Sequence, residues 1–150
     1  MGLTDLRAVL SRHRRVALDA NVFIYQEEAH PRYLPLTREV FSWLESPQST
    51  AVTATMTMTE LLVLPYRQGD QARADLFYVL LSTYPHLEWI PLDLKIADIA
   101  ARLCATHRLK TPDSVQAATA MGAGATLLIS NDAVFERVKD FETLVLNRYL

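Results

Sequence analysis

Short apolar runs alternate along this chain with longer stretches of helical period, and that alternation restricts the folds open to it. Val16–Leu18, Ala51–Ala54, the segment HLEWIPL from His86 to Leu92, Thr126–Ile129 and Leu144–Leu146 read as strands. They are too brief and too uniformly apolar for an antiparallel sheet with one wet face, and they suit strands covered on both sides. Helical stripes fill the intervals. Thr4 caps a first helix reaching about His13, and Leu36 to Leu44 presents Val40, Phe41 and Leu44. TMTMTELLVL restarts a helix directly after the second strand, and Gln71 to Leu81 carries Ala74, Phe77, Tyr78 and Leu81. Asp93 caps a helix with the stripe Ile96, Ile99, Ala100 and Leu103, ending near His107. Another opens at Thr111-Pro112-Asp113 and stops at Gly122 and Gly124, and AVFERV is a short last helix. The expectation is an α/β fold with a mainly parallel sheet, in one domain over residues 1–150.

Composition narrows the function. Half of the residues are hydrophobic, ample for one core, and no apolar run reaches the length of a membrane span. A net charge of -2 provides no global basic field, so any polyanion has to be gripped locally. One cysteine, Cys104, rules out an internal disulfide and a cysteine-based zinc cluster. It lies on a helical pattern as a small hydrophobe, and the N-terminal stretch lacks the small-residue cleavage site of a signal peptide. The expected compartment is the cytoplasm.

Four acids then stand out by position. Asp19 directly follows the apolar strand VAL, and Asp132 follows LLIS. Glu60 lies in the first turns of the helix after the second strand, and Asp113 opens another helix. Each has a structural explanation. Thr57 and Glu60 match a capping box, Thr111 and Pro112 make a helix start that suits a negative Asp113, and Asp132 fits an N-cap. Asp19 resists that account, because the residues after it, NVFIY, are β-branched or aromatic and poor helix starters. In open α/β sheets ligands bind beyond the carboxyl ends of the strands. Four acids converging there repel one another unless a cation stands between them. No bases are interleaved with them, so a divalent ion is the natural counter-charge, and an all-oxygen set suits Mg2+ or Mn2+ better than zinc. Such ions serve in-line displacement at phosphorus.

The segments VALDANVFIY, TMTELLVL and LKTPDSVQAATAMGAGATLLISND, with a closing F-x-x-V, resemble the PIN-domain nucleases, and in particular the VapC toxins of prokaryotic toxin-antitoxin pairs. The likeness spans about residues 16 to 146. It implies a three-layer α/β/α sandwich and a metal-dependent endoribonuclease inhibited by a cognate antitoxin, with Asp19, Glu60, Asp113 and Asp132 matching the family's acidic quartet. Asn21 stands at the family's orienting amide, and Ser130 where a threonine is more usual. The resemblance further implies a homodimer. An extra leading helix in residues 1–15 departs from the pattern, with Arg12, Arg14 and Arg15 as a solvated helix end.

On this reading Asp19, Asp113 and Asp132 hold Mg2+ or Mn2+, Glu60 holds a second ion or orients the attacking water, and Asn21 and Ser130 fix the carboxylates. Hydrolysis leaves a 5'-phosphate and a 3'-hydroxyl. Alternatives stay open: a PIN nuclease of RNA processing that is not a toxin, or a catalytically silent binding module of the same fold. A phosphatase of the haloacid dehalogenase type would favour D-x-D, where this chain has Asp19-Ala20-Asn21. Outside the quartet, Asp98 pairs with Arg102, Glu27 and Glu28 lie in a loop with His30, and Trp43 and Trp89 pack in the core. Arg67, Arg73, Arg108 and Lys110 are candidates for phosphate contacts.

Overall fold

The computed structural model describes residues 1–150. Helix α1 (Leu3–Ser11) leads into β1 (Arg15–Leu18), and α2 (Ala20–Glu27) and α3 (Leu34–Leu44) precede β2 (Thr50–Ala54). The chain continues through α4 (Met56–Arg67), α5 (Gln71–Ser82) and β3 (Leu87–Ile90). Helices α6 (Leu94–His107) and α7 (Thr111–Gly122) lead to β4 (Leu127–Ser130), a 3-10 helix (Ala133–Arg137), β5 (Glu142–Val145) and a last 3-10 turn (Leu146–Tyr149).

All strand pairs are parallel, and the order across the sheet is β3-β2-β1-β4-β5. The expected parallel sheet is therefore observed, with β1 at its centre. Side-chain alternation along the strands divides the core between two faces. Val16, Leu18, Ala51, Leu127 and Ile129 point toward α1, α2 and α3, and Ala17, Val52, Ala54 and Leu128 point toward α6 and α7. The three layers follow from that division.

Helix α2 corrects the sequence reading, which placed no helix after Asp19. Val22 and Phe23 are wholly buried, and the Phe23 ring meets Phe41 of α3 edge-on at 5.7 Å. Burying side chains of this size contributes about 1.5–3 kcal/mol each. That exceeds the few tenths by which β-branched and aromatic residues disfavour a helix. Glu27 consequently ends α2 instead of lying in a loop, with Glu28 just beyond it.

The leading helix packs through Leu6, Val9 and Leu10 into the cluster that α3 also joins. Its basic end is not simply solvated, as expected. Arg12 pairs with Glu142 at 2.7 Å, and Arg15, half-buried, donates to the Ala123 carbonyl and reaches Glu88, while Arg14 is exposed. Trp43 and Trp89 pack against the core, and Asp98 and Arg102 form their helical pair at 3.0 Å. No helix is long and apolar enough to cross a membrane.

Candidate active site

β1 ends at Leu18, and the chain turns at Asp19 into α2. The Asp19 backbone N–H extends the β1–β4 ladder to the Ile129 carbonyl at 3.0 Å, fixing the residue against β4. Its side chain caps α2, with Oδ1 accepting from the Ala20 N–H at 2.8 Å. The other oxygen faces β4, where Ser130 Oγ donates to Oδ2 at 2.7 Å and Asn21 Nδ2 donates at 3.4 Å. One carboxylate thus both caps α2 and meets the end of β4.

Ser130 is the hub of this end of the sheet. Completely buried, its hydroxyl donates to Asp19 and accepts from Asn21 Nδ2 at 3.2 Å and from the Asp132 N–H at 3.0 Å. Asp132 in turn caps the following 3-10 helix through Val134 N–H at 2.9 Å. Asn131 reaches away from the acids: its amide donates to the Tyr25 hydroxyl and its carbonyl accepts from Asn147 N–H, tying β4 to α2 and the C-terminal turn.

Asp113 lies in the first turn of α7, whose N-cap is Lys110 and not Thr111. Glu60 lies one turn into α4, which starts from Thr55 without a side-chain cap. The expected capping box is absent. Thr57 instead turns inward, and a buried relay runs from Gln116 Nε2 to Thr57 Oγ1 (2.7 Å), from Thr57 to Thr53 Oγ1 (2.6 Å) and from Thr53 to the Leu18 carbonyl (2.8 Å). Thr57 precedes Glu60 by three residues, Gln116 follows Asp113 by three, and Leu18 adjoins Asp19. The relay thus ties together the three elements that carry these acids. Sequence reasoning missed it because T-x-x-E reads first as a cap, and only the partly hidden polar residues within α7's apolar surface hinted at an inward contact.

The carboxylates sense each other. Burial pushes the Asp19 carboxyl up, opposed by its bonds from Ser130 and Ala20 and reinforced by Asp113 and Asp132. Glu60, solvent-exposed at the rim, is raised by partial desolvation and then by Asp19 and Asp113. Asp113 is raised by burial and Asp132, with Lys110 acting against them. None of the four forms an ion pair with a basic side chain. Asn21 Oδ1 is buried beside them without a partner. Hard oxygen donors, mutual repulsion and an orphaned amide oxygen fit a divalent cation. As the side chains stand, no three His, Cys, Asp or Glu groups converge as a ready ligand set.

The PIN-domain family model matches residues 16–140. This chain belongs to the PIN-domain family. Its fold is shared with solved structures of low sequence identity. One is VapBC2 from Rickettsia felis bound to a promoter DNA fragment, with a TM-score of 0.63, 18% identity and coverage of 87% of this chain and 97% of that one. Another is FitAcB from Neisseria gonorrhoeae, at 0.63 and 22%, with coverage of 87% and 97%. The third is VapC20 from Mycobacterium tuberculosis, described as a Sarcin-Ricin loop cleaving toxin, at 0.64 and 14%, with coverage of 81% and 92%. Comparison with curated proteins finds no match. These likenesses establish a VapC-like PIN fold.

Within the PIN domain, Asp113 and Asp132 face a cleft of about 600 Å³ that also takes in Arg108, Lys110 and Arg137. Arg108 and Lys110 were candidates from the sequence. Arg137 was not, since the 3-10 helix that brings it there is too short to show a periodic face. Arg73 instead stacks over the Phe77 ring at 5.0 Å.

Proposed function

We propose that this PIN-domain protein is a divalent-metal-dependent endoribonuclease of the VapC toxin type. The observation that carries the reading is the set of four acids near the carboxyl end of the sheet, none with a basic partner, of which Asp19, Glu60 and Asp113 are raised by burial and by neighbouring carboxylates. Asp19, Asp113 and Asp132 would hold Mg2+ or Mn2+, directly or through water, and exposed Glu60 would hold a second ion or orient the attacking water. When bound, the ion supplies Lewis-acid stabilisation of the charge that develops on the phosphoryl oxygens. Ser130 and Asn21 keep the Asp19 carboxylate in one orientation through their hydrogen bonds. Attack by water leaves a 5'-phosphate and a 3'-hydroxyl, so the ribose 2'-hydroxyl takes no part and selection of RNA rests on binding.

The partner proposed is a cognate antitoxin whose segment covers the acidic cleft, in the cytoplasm. Toxin-antitoxin complexes among the structures sharing the fold support it. A homodimer is proposed as well. Exposed Val63, Leu64 and Tyr66 on α4 with Leu76, Tyr78, Val79 and Leu80 on α5 offer apolar surface for protein contact. The spread of the acids favours one competitor, a silent binding module of the same fold.

The deciding experiment is cleavage of a mixed RNA pool with Mg2+ or Mn2+, beside Asp19→Asn and Asp113→Asn variants shown to be folded by circular dichroism. Metal-dependent cleavage lost in both variants supports the nuclease. A folded wild type that neither cuts RNA nor gains thermal stability from either metal supports the binding module.

A further inference from the structure

We propose that Arg108 and Lys110 form a phosphate subsite that grips single-stranded RNA beside the phosphate to be hydrolysed, with Arg137 positioning them. The proposal deepens the ribonuclease reading and rests on it.

The cleft beyond β4 has two kinds of wall. Asp113 and Asp132 make one, and Arg108, Lys110 and Arg137 the other. Opposite charges lining one cleft normally pair, yet no ion pair crosses this one. All three basic side chains are exposed. A ligand that is itself anionic and arrives with a cation satisfies both walls, and a phosphodiester backbone is such a ligand. The chain's net charge of -2 adds a second reason, because without a global basic field the grip on a polyanion has to be local.

The backbone that carries those side chains is held in place. Arg108 ends α6 in the left-handed region, at φ 56 and ψ 35, a conformation that non-glycine residues rarely adopt. Arg137 Nη1 donates to the carbonyls of both His107 and Arg108, at 3.4 and 3.3 Å, and so clamps the turn. Leu109 is buried between its exposed neighbours and anchors the segment from below. Arg108 and Lys110 therefore project from a fixed turn at the start of α7, with Lys110 three residues before Asp113. Lys110 acts on the Asp113 carboxyl through its charge without bonding to it, which leaves its ammonium free for a ligand.

The test uses the full chain in EDTA, so that nothing is cut, with fluorescein-labelled decauridylate RNA followed by fluorescence anisotropy. Arg108→Gln/Lys110→Gln is compared with wild type across a KCl series. The matched control is Arg14→Gln/Lys139→Gln, which makes the same change in net charge just ahead of β1 and β5, at the opposite end of the sheet. Each lost phosphate contact on a single strand lowers the slope of log affinity against log salt by about 0.7, so the cleft variant loses about 1.4 of slope. Between about 50 and about 200 mM KCl its affinity then falls about sevenfold less than that of wild type. The control keeps the wild-type slope.

An unchanged slope in the cleft variant, an equal change in the control, or wild type that binds no decauridylate overturns the subsite. The two readings fail separately. Metal-dependent cleavage with an unchanged slope removes the subsite and keeps the nuclease. A slope reduced as expected, in a protein that cleaves nothing with Mn2+, keeps the subsite and removes the nuclease.

Discussion

Replacing Thr57 by Val perturbs the buried relay beneath the acids with almost no change of shape. The Thr53 hydroxyl has one proton, and it goes to the Leu18 carbonyl at 2.8 Å. Thr57 is therefore the donor in the 2.6 Å contact between the two threonines, and it accepts from Gln116. Valine removes both interactions and leaves the Gln116 amide, only 4% exposed, facing a methyl group. A lost hydrogen bond costs about 1 kcal/mol net, and a buried donor stripped of its partner costs about 1–3 kcal/mol, so the sum is about 3 kcal/mol. At about 2–4 °C per kcal/mol for a chain of this size, the melting temperature falls by about 6–12 °C. Urea denaturation and differential scanning calorimetry measure both quantities. Because the penalty comes from stranding Gln116, Thr57→Val/Gln116→Leu is less damaging than the sum of its single variants, with coupling of about 1 kcal/mol or more. A Thr57→Val protein within about 0.5 kcal/mol of wild type, or strict additivity in the double variant, refutes the relay as a structural tie.

Asp19→Asn raises the melting temperature of metal-free protein at neutral pH while abolishing RNA cleavage. A raised carboxyl pKa means that the folded state binds the proton more tightly than the unfolded one. Stability is full below the ordinary carboxylate value and is lost as pH rises through the elevated folded value. Wild type consequently gains stability relative to Asp19→Asn as pH is lowered from neutrality toward that range, which melting curves taken over a pH series will show. Ser130→Ala removes the donor to Asp19 and strands the Asp132 N–H, with an expected loss of about 2 kcal/mol by urea denaturation. Gly124→Ala meets no neighbouring atom but forces alanine to φ +74, so it costs about 1 kcal/mol and leaves the cleavage rate unchanged.

Strand positions were legible because each strand is an apolar run bounded by polar or turn residues. The observed β1, β2 and β4 lie within a residue of the sequence reading at each end. The last strand was read two residues late at its start, since Glu142 and Thr143 face outward or are half-covered and carry no apolar signal. The helix after Asp19 was not legible, because local propensity argued against it and the burial of Val22 and Phe23 that decides the matter depends on α3, far along the chain. The acids were legible individually as residues at element junctions. Their environments were not: that Thr57 faces inward, that Gln116 meets it across 59 residues, and that Arg137 clamps Arg108 are all consequences of packing.

The strand order has a bearing on when the protein can become active. β1 is made early, but its neighbour on one side is β4, more than a hundred residues later. A chain emerging from the ribosome as far as β3 already carries Asp19 and Glu60, yet it lacks Asp113, Asp132, and the hydroxyl of Ser130 that holds Asp19 in place. On the function proposed here, a nuclease synthesised beside RNA stays inert through most of its own translation, and insertion of β4 against β1 is the event that arms it.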